Sequence, residues 1–175
     1  MPDSELEGLT TADLTVRAEK TAEALVQKLK SLSQTLALAE SCTAGLVSSL
    51  LAGIPGASEV LWGSFVCYTP EAKVSMLGLD RNALVAHGLV SGETACAMAA
   101  GALQKSGAGI AAAVTGLAGP EGDGSNVPVG TVWVAAMMRN GETAMAREFH
   151  FSGARNEVRL RAAIAVLESI QSLLT

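Results

Sequence analysis

Aromatic residues make up only 3% of the 175 residues, so the core cannot be built around rings. Hydrophobic residues nevertheless reach 49%, and Ala, Val, Leu and Ile must supply the packing. Histidine is scarcer still, with two copies, His87 and His150, far apart in the chain. They show no metal-ligand spacing, so neither a metal nor another cofactor is expected. Three cysteines, Cys42, Cys67 and Cys96, leave an odd count with no secretory signal, which reads as reduced thiols and a cytoplasmic protein. Basic residues are outnumbered, for a net charge of -5, which argues against a broad nucleic-acid-binding face. No apolar run reaches the roughly 20 residues that cross a bilayer, and the Ala-rich stretch 95–114 is broken by Gln104, Lys105 and glycines, so no membrane partner is expected. Met1 to Leu9 is polar and acidic, unlike a targeting signal.

The length fits one domain, assigned to residues 12–175 after a lead-in over 1–11 expected to be disordered. Leu14, Ala18, Ala22, Leu25, Leu29 and Leu32 form one stripe, predicting an amphipathic helix over Thr11 to Leu32. Thr35 to Ala39 reads as a buried strand, and Ser41 to Leu51 as a helix with Ser41 or Thr43 near its N-cap. Val60 to Tyr68 is a second strand, and Pro70 opens a helix to Leu77. Asp80 and Ser91 each cap a further helix, ending near His87 and Ser106. Ile110 to Val114 is a third strand, followed by a Gly- and Pro-rich loop over Gly116 to Gly130. Strands over Gly130 to Met138 and Glu142 to Phe151 join through Asn140-Gly141, a hairpin signal, and Asn156 to Leu174 is the last helix. Strands alternating with helices, plus one hairpin, predict a three-layer α/β/α sandwich with a mixed, mostly parallel sheet of about five strands. An Ala-rich surface helix suggests self-association as a homodimer.

Four segments carry candidate chemistry. Ala39-Glu40-Ser41-Cys42-Thr43 lies where a strand meets a helix, so the first helical amides would sit beside Ser41 as donors to an oxyanion. Ser and Thr serve equally there as ordinary N-caps. Lys73 lies about one turn into the helix after Tyr68-Thr69-Pro70. A Lys buried at a strand end can lose its proton near neutral pH and activate a hydroxyl, whereas a solvated Lys cannot. Thr115, Gly116 and Gly119 follow the third strand, where glycines permit close backbone approach to a ligand or merely form a mobile loop. Arg155 opens the last helix, where a cation opposes the helix dipole, so an anion-binding role is expected. Cys42 with His87 or His150 is the rival nucleophile–base pair; Arg159 and Arg161 read as solvated or ion-paired.

Taken together, AESCTAG from Ala39, FVCYTPEAKVSMLG from Phe65, LVSGETACAMA from Leu89, AVTGLAGPEG from Ala113, PVGTVWVA from Pro128 and FSGARNEVR from Phe151 strongly resemble the CinA C-terminal domain family, the nicotinamide-nucleotide amidases. The resemblance spans about residues 15 to 174. It implies hydrolysis of nicotinamide mononucleotide to nicotinate mononucleotide and ammonia, with Ser41 as nucleophile and Lys73 as base. It places Tyr68, Thr115 and Arg155 around the site and implies a stand-alone amidase without the family's molybdopterin-binding-like domain. Thr43, Gly116 and Gly119 are further expected substrate contacts, and the amides of Cys42 and Thr43 the expected oxyanion donors. Two positions depart from the family pattern: Ala44 stands where Gly is common, and Pro70 where Asn is. The alternative is a non-catalytic pyridine-nucleotide-binding or competence-related regulatory module; an amidase for another carboxamide is a third reading.

Overall fold

Leu36 and Leu38 of β1 (Leu36–Glu40) and Ile110 and Val114 of β3 (Ile110–Gly116) point to one side of a sheet, while Ala39, Ala111 and Ala113 point to the other. This two-residue alternation gives the sheet a bulky face and an alanine face. The computed structural model describes residues 6–141 and 144–175. In it, α1 (Thr11–Ser31), α2 (Leu46–Ala52) and α6 (Arg155–Leu173) cover the bulky face. The alanine face carries α5 (Gly92–Ser106), flanked by α3 (Pro70–Leu77) and α4 (Arg81–His87). Ala95, Met98, Ala99 and Ala102 of α5 recur at helical spacing and meet the strand alanines, so short side chains on both surfaces bring helix and sheet close.

The sheet order is β2-β1-β3-β4-β5, completed by β2 (Leu61–Val66), β4 (Thr131–Met138) and β5 (Met145–His150). β1 pairs in parallel with β2 and β3; β4 runs antiparallel to β3 and β5. Four of the five strands therefore point the same way, and the expected mixed, mostly parallel α/β/α architecture is the observed one. The C-terminal ends of β1, β2, β3 and β5 share one edge, where open α/β sheets bind ligands.

Four differences from the sequence expectation are seen. The second helix begins at Leu46 rather than Ser41, because Ala44 (φ +50°) and Gly45 (φ +91°) adopt left-handed backbone that an α-helix cannot include. Within the expected lead-in, Leu6 is buried against the core, and Thr10 and Asp13 form a capping box that starts α1; residues 1–5 lie outside the described residues. α1 stops at Ser31, which leaves Leu32 exposed instead of in the apolar stripe. The hairpin forms at Asn140-Gly141, but the expected strand residues Glu142 and Thr143 lie outside the described residues, and β5 begins at Met145.

Candidate active site

Lys73 is delivered by a helix whose local signals all agree. Thr69 is the N-cap, its hydroxyl accepting from the Ala72 amide at 3.2 Å; Pro70 is the first helical residue, and Gly78 (φ +76°) closes the helix. The helix packs against α5 at Gly101, where an added Cβ would lie 2.6 Å from the Leu77 carbonyl oxygen, so only glycine permits this approach. Long helical side chains lean toward the helix N-terminus. Lys73 accordingly reaches back to the end of β2 and is 1% exposed. Its Nζ donates to the Cys67 carbonyl at 3.0 Å and lies 2.9 Å from Ser41 Oγ. Burial pushes the amine below its ordinary value of 10.5, opposed only by the nearby Cys67 and Cys42 thiols. No carboxylate pairs with it among the described residues.

Ser41 stands one residue past β1, held to β3 through its amide, which donates to the Val114 carbonyl at 3.0 Å. The tight turn Ser41–Gly45 follows. The Ala44 amide donates to the Ser41 carbonyl and the Leu46 amide to that of Thr43. The next two amides of α2, at Val47 and Ser48, donate to the Glu40 carboxylate at 3.0 Å each. The first helical amides are thus occupied and do not face a ligand, contrary to the sequence expectation.

Ser41 and Lys73 open onto a cleft of about 220 Å³ at the shared strand ends. Tyr68, Thr115, Gly116, Gly119 and Arg155 line it, as does Cys42. Arg155 spans the mouth, donating to Tyr68 Oη at 2.8 Å and to the Gly119 carbonyl at 2.5 Å. It has no ion-pair partner among the described residues, which leaves its charge available. Thr115 is buried in the wall and its hydroxyl donates to the Leu89 carbonyl at 2.7 Å, so toward the cleft it can only accept.

Thr43 does not fit its expected role as a substrate contact. It is fully buried outside the cleft lining, and its hydroxyl donates to Glu40 at 2.9 Å. Cys42 is a poor nucleophile, since burial raises its thiol to about 12. Neither His87 nor His150 lines the cleft: His87 ends α4, and His150 lies on β5 beside Glu148 and Thr131. Arg159, expected to be solvated or ion-paired, donates to the Thr43 carbonyl at 2.8 Å and so braces the serine turn. Arg161 is buried, donating to the Leu6 and Leu9 carbonyls, with Glu157 4.0 Å away. Sequence reasoning missed Glu40, a charged residue ending an otherwise apolar strand, and Glu121 and Asp123, which line the cleft from the glycine-rich loop. A charge closing the run Leu36 to Ala39 was the available signal for Glu40.

Among the described residues there is no group of three or more metal-ligating side chains, and no helix is long and apolar enough to cross a membrane. An α/β/α domain with a buried serine–lysine pair at its strand ends defines the class. The CinA C-terminal domain matches residues 18–174, and the chain belongs to that family. It is 40% identical over 153 residues to a CinA-like protein of Thermotoga neapolitana, covering 87% of this chain and 37% of that one. A CinA-like protein of Geobacter metallireducens is 44% identical over 134 residues, covering 77% of this chain and 32% of that one. The chain thus spans about a third of the length of these relatives. Among solved structures, the competence/damage inducible protein CihA from Agrobacterium tumefaciens superposes with a TM-score of 0.87 at 39% identity, covering 91% of this chain and 96% of that one. A CinA superfamily protein from Escherichia coli gives 0.86 at 30% identity, covering 98% and 96%.

Proposed function

We propose that this chain hydrolyses the carboxamide of nicotinamide mononucleotide to nicotinate mononucleotide and ammonia, with Ser41 as nucleophile and Lys73 as base. The observation that carries this reading is the 2.9 Å contact between Ser41 Oγ and an amine buried without an anionic partner. Burial disfavours the ammonium, and a neutral amine can donate one N–H to Cys67 while its lone pair accepts the serine proton.

Ser41 Oγ attacks the carboxamide carbon as its proton passes to Lys73. Backbone amides at the start of the serine turn, beginning at Cys42, which lines the cleft, are the donors assigned to the oxyanion. The Lys73 ammonium then protonates the departing nitrogen, with the Tyr68 hydroxyl at the same cleft. Ammonia leaves, water attacks the acyl-serine as its proton passes to Lys73, and Lys73 returns that proton to Ser41 Oγ as the ester bond breaks. Arg155 offers its remaining guanidinium N–H groups to the substrate phosphate, which orients the scissile bond. Glu121 and Asp123 give the same cleft negative charge suited to the pyridinium ring.

Product analysis after incubation with nicotinamide mononucleotide tests the proposal. The wild-type chain is expected to release ammonia and nicotinate mononucleotide, and Ser41→Ala to release neither. Tight nucleotide binding with no ammonia from the wild type would replace this reading with a binding or regulatory module.

A further inference from the structure

Glu40 is a carboxylate at 1% exposure, next to Ser41, that the chemistry proposed above does not use. Its two oxygens accept four hydrogen bonds. Oε2 takes the Thr43 hydroxyl at 2.9 Å and the Val47 amide at 3.0 Å; Oε1 takes the Ser48 amide and the Ser64 hydroxyl, each at 3.0 Å. These donors come from the serine turn, the start of α2 and strand β2. The residue that should cap α2 cannot do so: Gly45 has no side chain to offer. A carboxylate five residues upstream, fixed on a central strand, replaces that cap.

We infer that Glu40 is a positioning residue for the nucleophile: it ties the serine turn and the start of α2 to the sheet, holding Ser41 Oγ on Lys73. The inference rests on the serine–lysine reading. Ser41 is joined directly to Glu40, and the turn between β1 and α2 runs through two consecutive residues with positive φ, a path that local preference does not favour. Something must over-determine it, and the four-donor carboxylate does so, with Arg159 bracing the Thr43 carbonyl from α6. The donor set also surrounds the carboxylate, so that Lys73 is left without an anion to hold its proton. Glu40 lies outside the cleft lining and so acts through Ser41.

An organofluorophosphonate probe reads Ser41 reactivity without assuming the natural substrate. Ser41 Oγ bonds phosphorus, fluoride leaves, and the serine proton passes to Lys73. Wild-type labelling at Ser41 is followed by mass spectrometry beside Glu40→Gln and Ser64→Ala. Glutamine keeps the shape but turns N–H groups toward two of the four donors. Glu40→Gln, checked for fold by circular dichroism, is expected to label at least about tenfold more slowly, the scale on which small misplacements act. Ser64→Ala removes one remote donor and is expected to label roughly two- to threefold more slowly when assayed well below its melting temperature, where the variant is fully folded and a merely stabilising role would leave the rate unchanged. Wild-type rates in folded Glu40→Gln and in Ser64→Ala overturn the inference while sparing the serine–lysine pair. Absence of label on wild-type Ser41 overturns the pair, and the inference with it. Should Glu40→Gln not fold, Ser64→Ala and Thr43→Val decide by the same criterion.

Discussion

The two segments that meet at the site are built in opposite ways. The helix carrying Lys73 is assembled from local rules: Thr69 caps it, Pro70 starts it and Gly78 ends it. The turn carrying Ser41 breaks local rules at two consecutive residues, and its helix is capped from β1 by Glu40 rather than by a neighbour. Lys73 therefore rides on an element that forms where its own sequence says it should. Ser41 rides on one that exists only when strands, helix and carboxylate are assembled together. Strain and long-range bracing collect at the Ser41 turn, and ordinary secondary structure suffices to bring the long Lys73 side chain to it.

The sharpest way to break this contrast is to remove each reactive group. Ser41→Ala and Lys73→Met are each expected to lower ammonia release by about a thousandfold or more, as for members of a catalytic unit. Cys42→Ala is expected to stay within a few-fold of wild type. The reverse pattern, dead Cys42→Ala and active Ser41→Ala, would shift the chemistry one residue along the turn.

Arg155→Ala tests the mouth of the cleft. Loss of a charge-assisted contact to phosphate is expected to raise KM about ten- to a hundredfold. The dephosphorylated nucleoside should be turned over at nearly the wild-type kcat/KM. Equal losses on both compounds would assign Arg155 to the Tyr68–Gly119 bracing alone.

Lys73 should also reveal itself through pH. Its amine is held below the ordinary 10.5 by burial, so activity should rise with pH through the folded-state value as the free base appears. Between the folded value and 10.5 the unfolded chain binds more protons than the folded one, so this group makes stability increase as pH rises. Below the folded value a buried ammonium must be carried, at full cost. Lys73→Met should therefore melt higher than wild type near neutral pH, by about 2–4 °C for each kcal/mol recovered. The gap should close as pH approaches 10.5; calorimetry across pH checks it, and a gap independent of pH would contradict it.

The smallest effects separate the two segments directly. Thr69→Ala removes a local N-cap and should cost about 1 kcal/mol of unfolding free energy with kcat little changed. Ala44→Gly should relieve left-handed strain worth roughly 1 kcal/mol, partly offset by greater freedom of the unfolded chain. Denaturant titration measures both. If Ala44→Gly destabilised the protein, the strain assigned to the serine turn would be wrong.

What could be read without a structure followed from short-range physics. A short apolar run marked the first strand, and helical spacing, Pro70 at a helix start, caps at Asp80 and Ser91, and the Asn140-Gly141 turn set most element boundaries. The motifs further singled out Ser41 and Lys73, along with Tyr68 and Arg155. The start of α2, the burial of Thr43 and the part played by Glu40 were not legible. A left-handed turn at Ala44 has no local signature, and a helix cap supplied from a neighbouring strand depends on contacts made only after the chain has folded. Periodicity and caps act over a few residues, so the sequence by itself determined the elements and the types of reactive group. The distance between a hydroxyl on one segment and an amine thirty-two residues on, and the water excluded around them, were decided by the packed sheet edge alone.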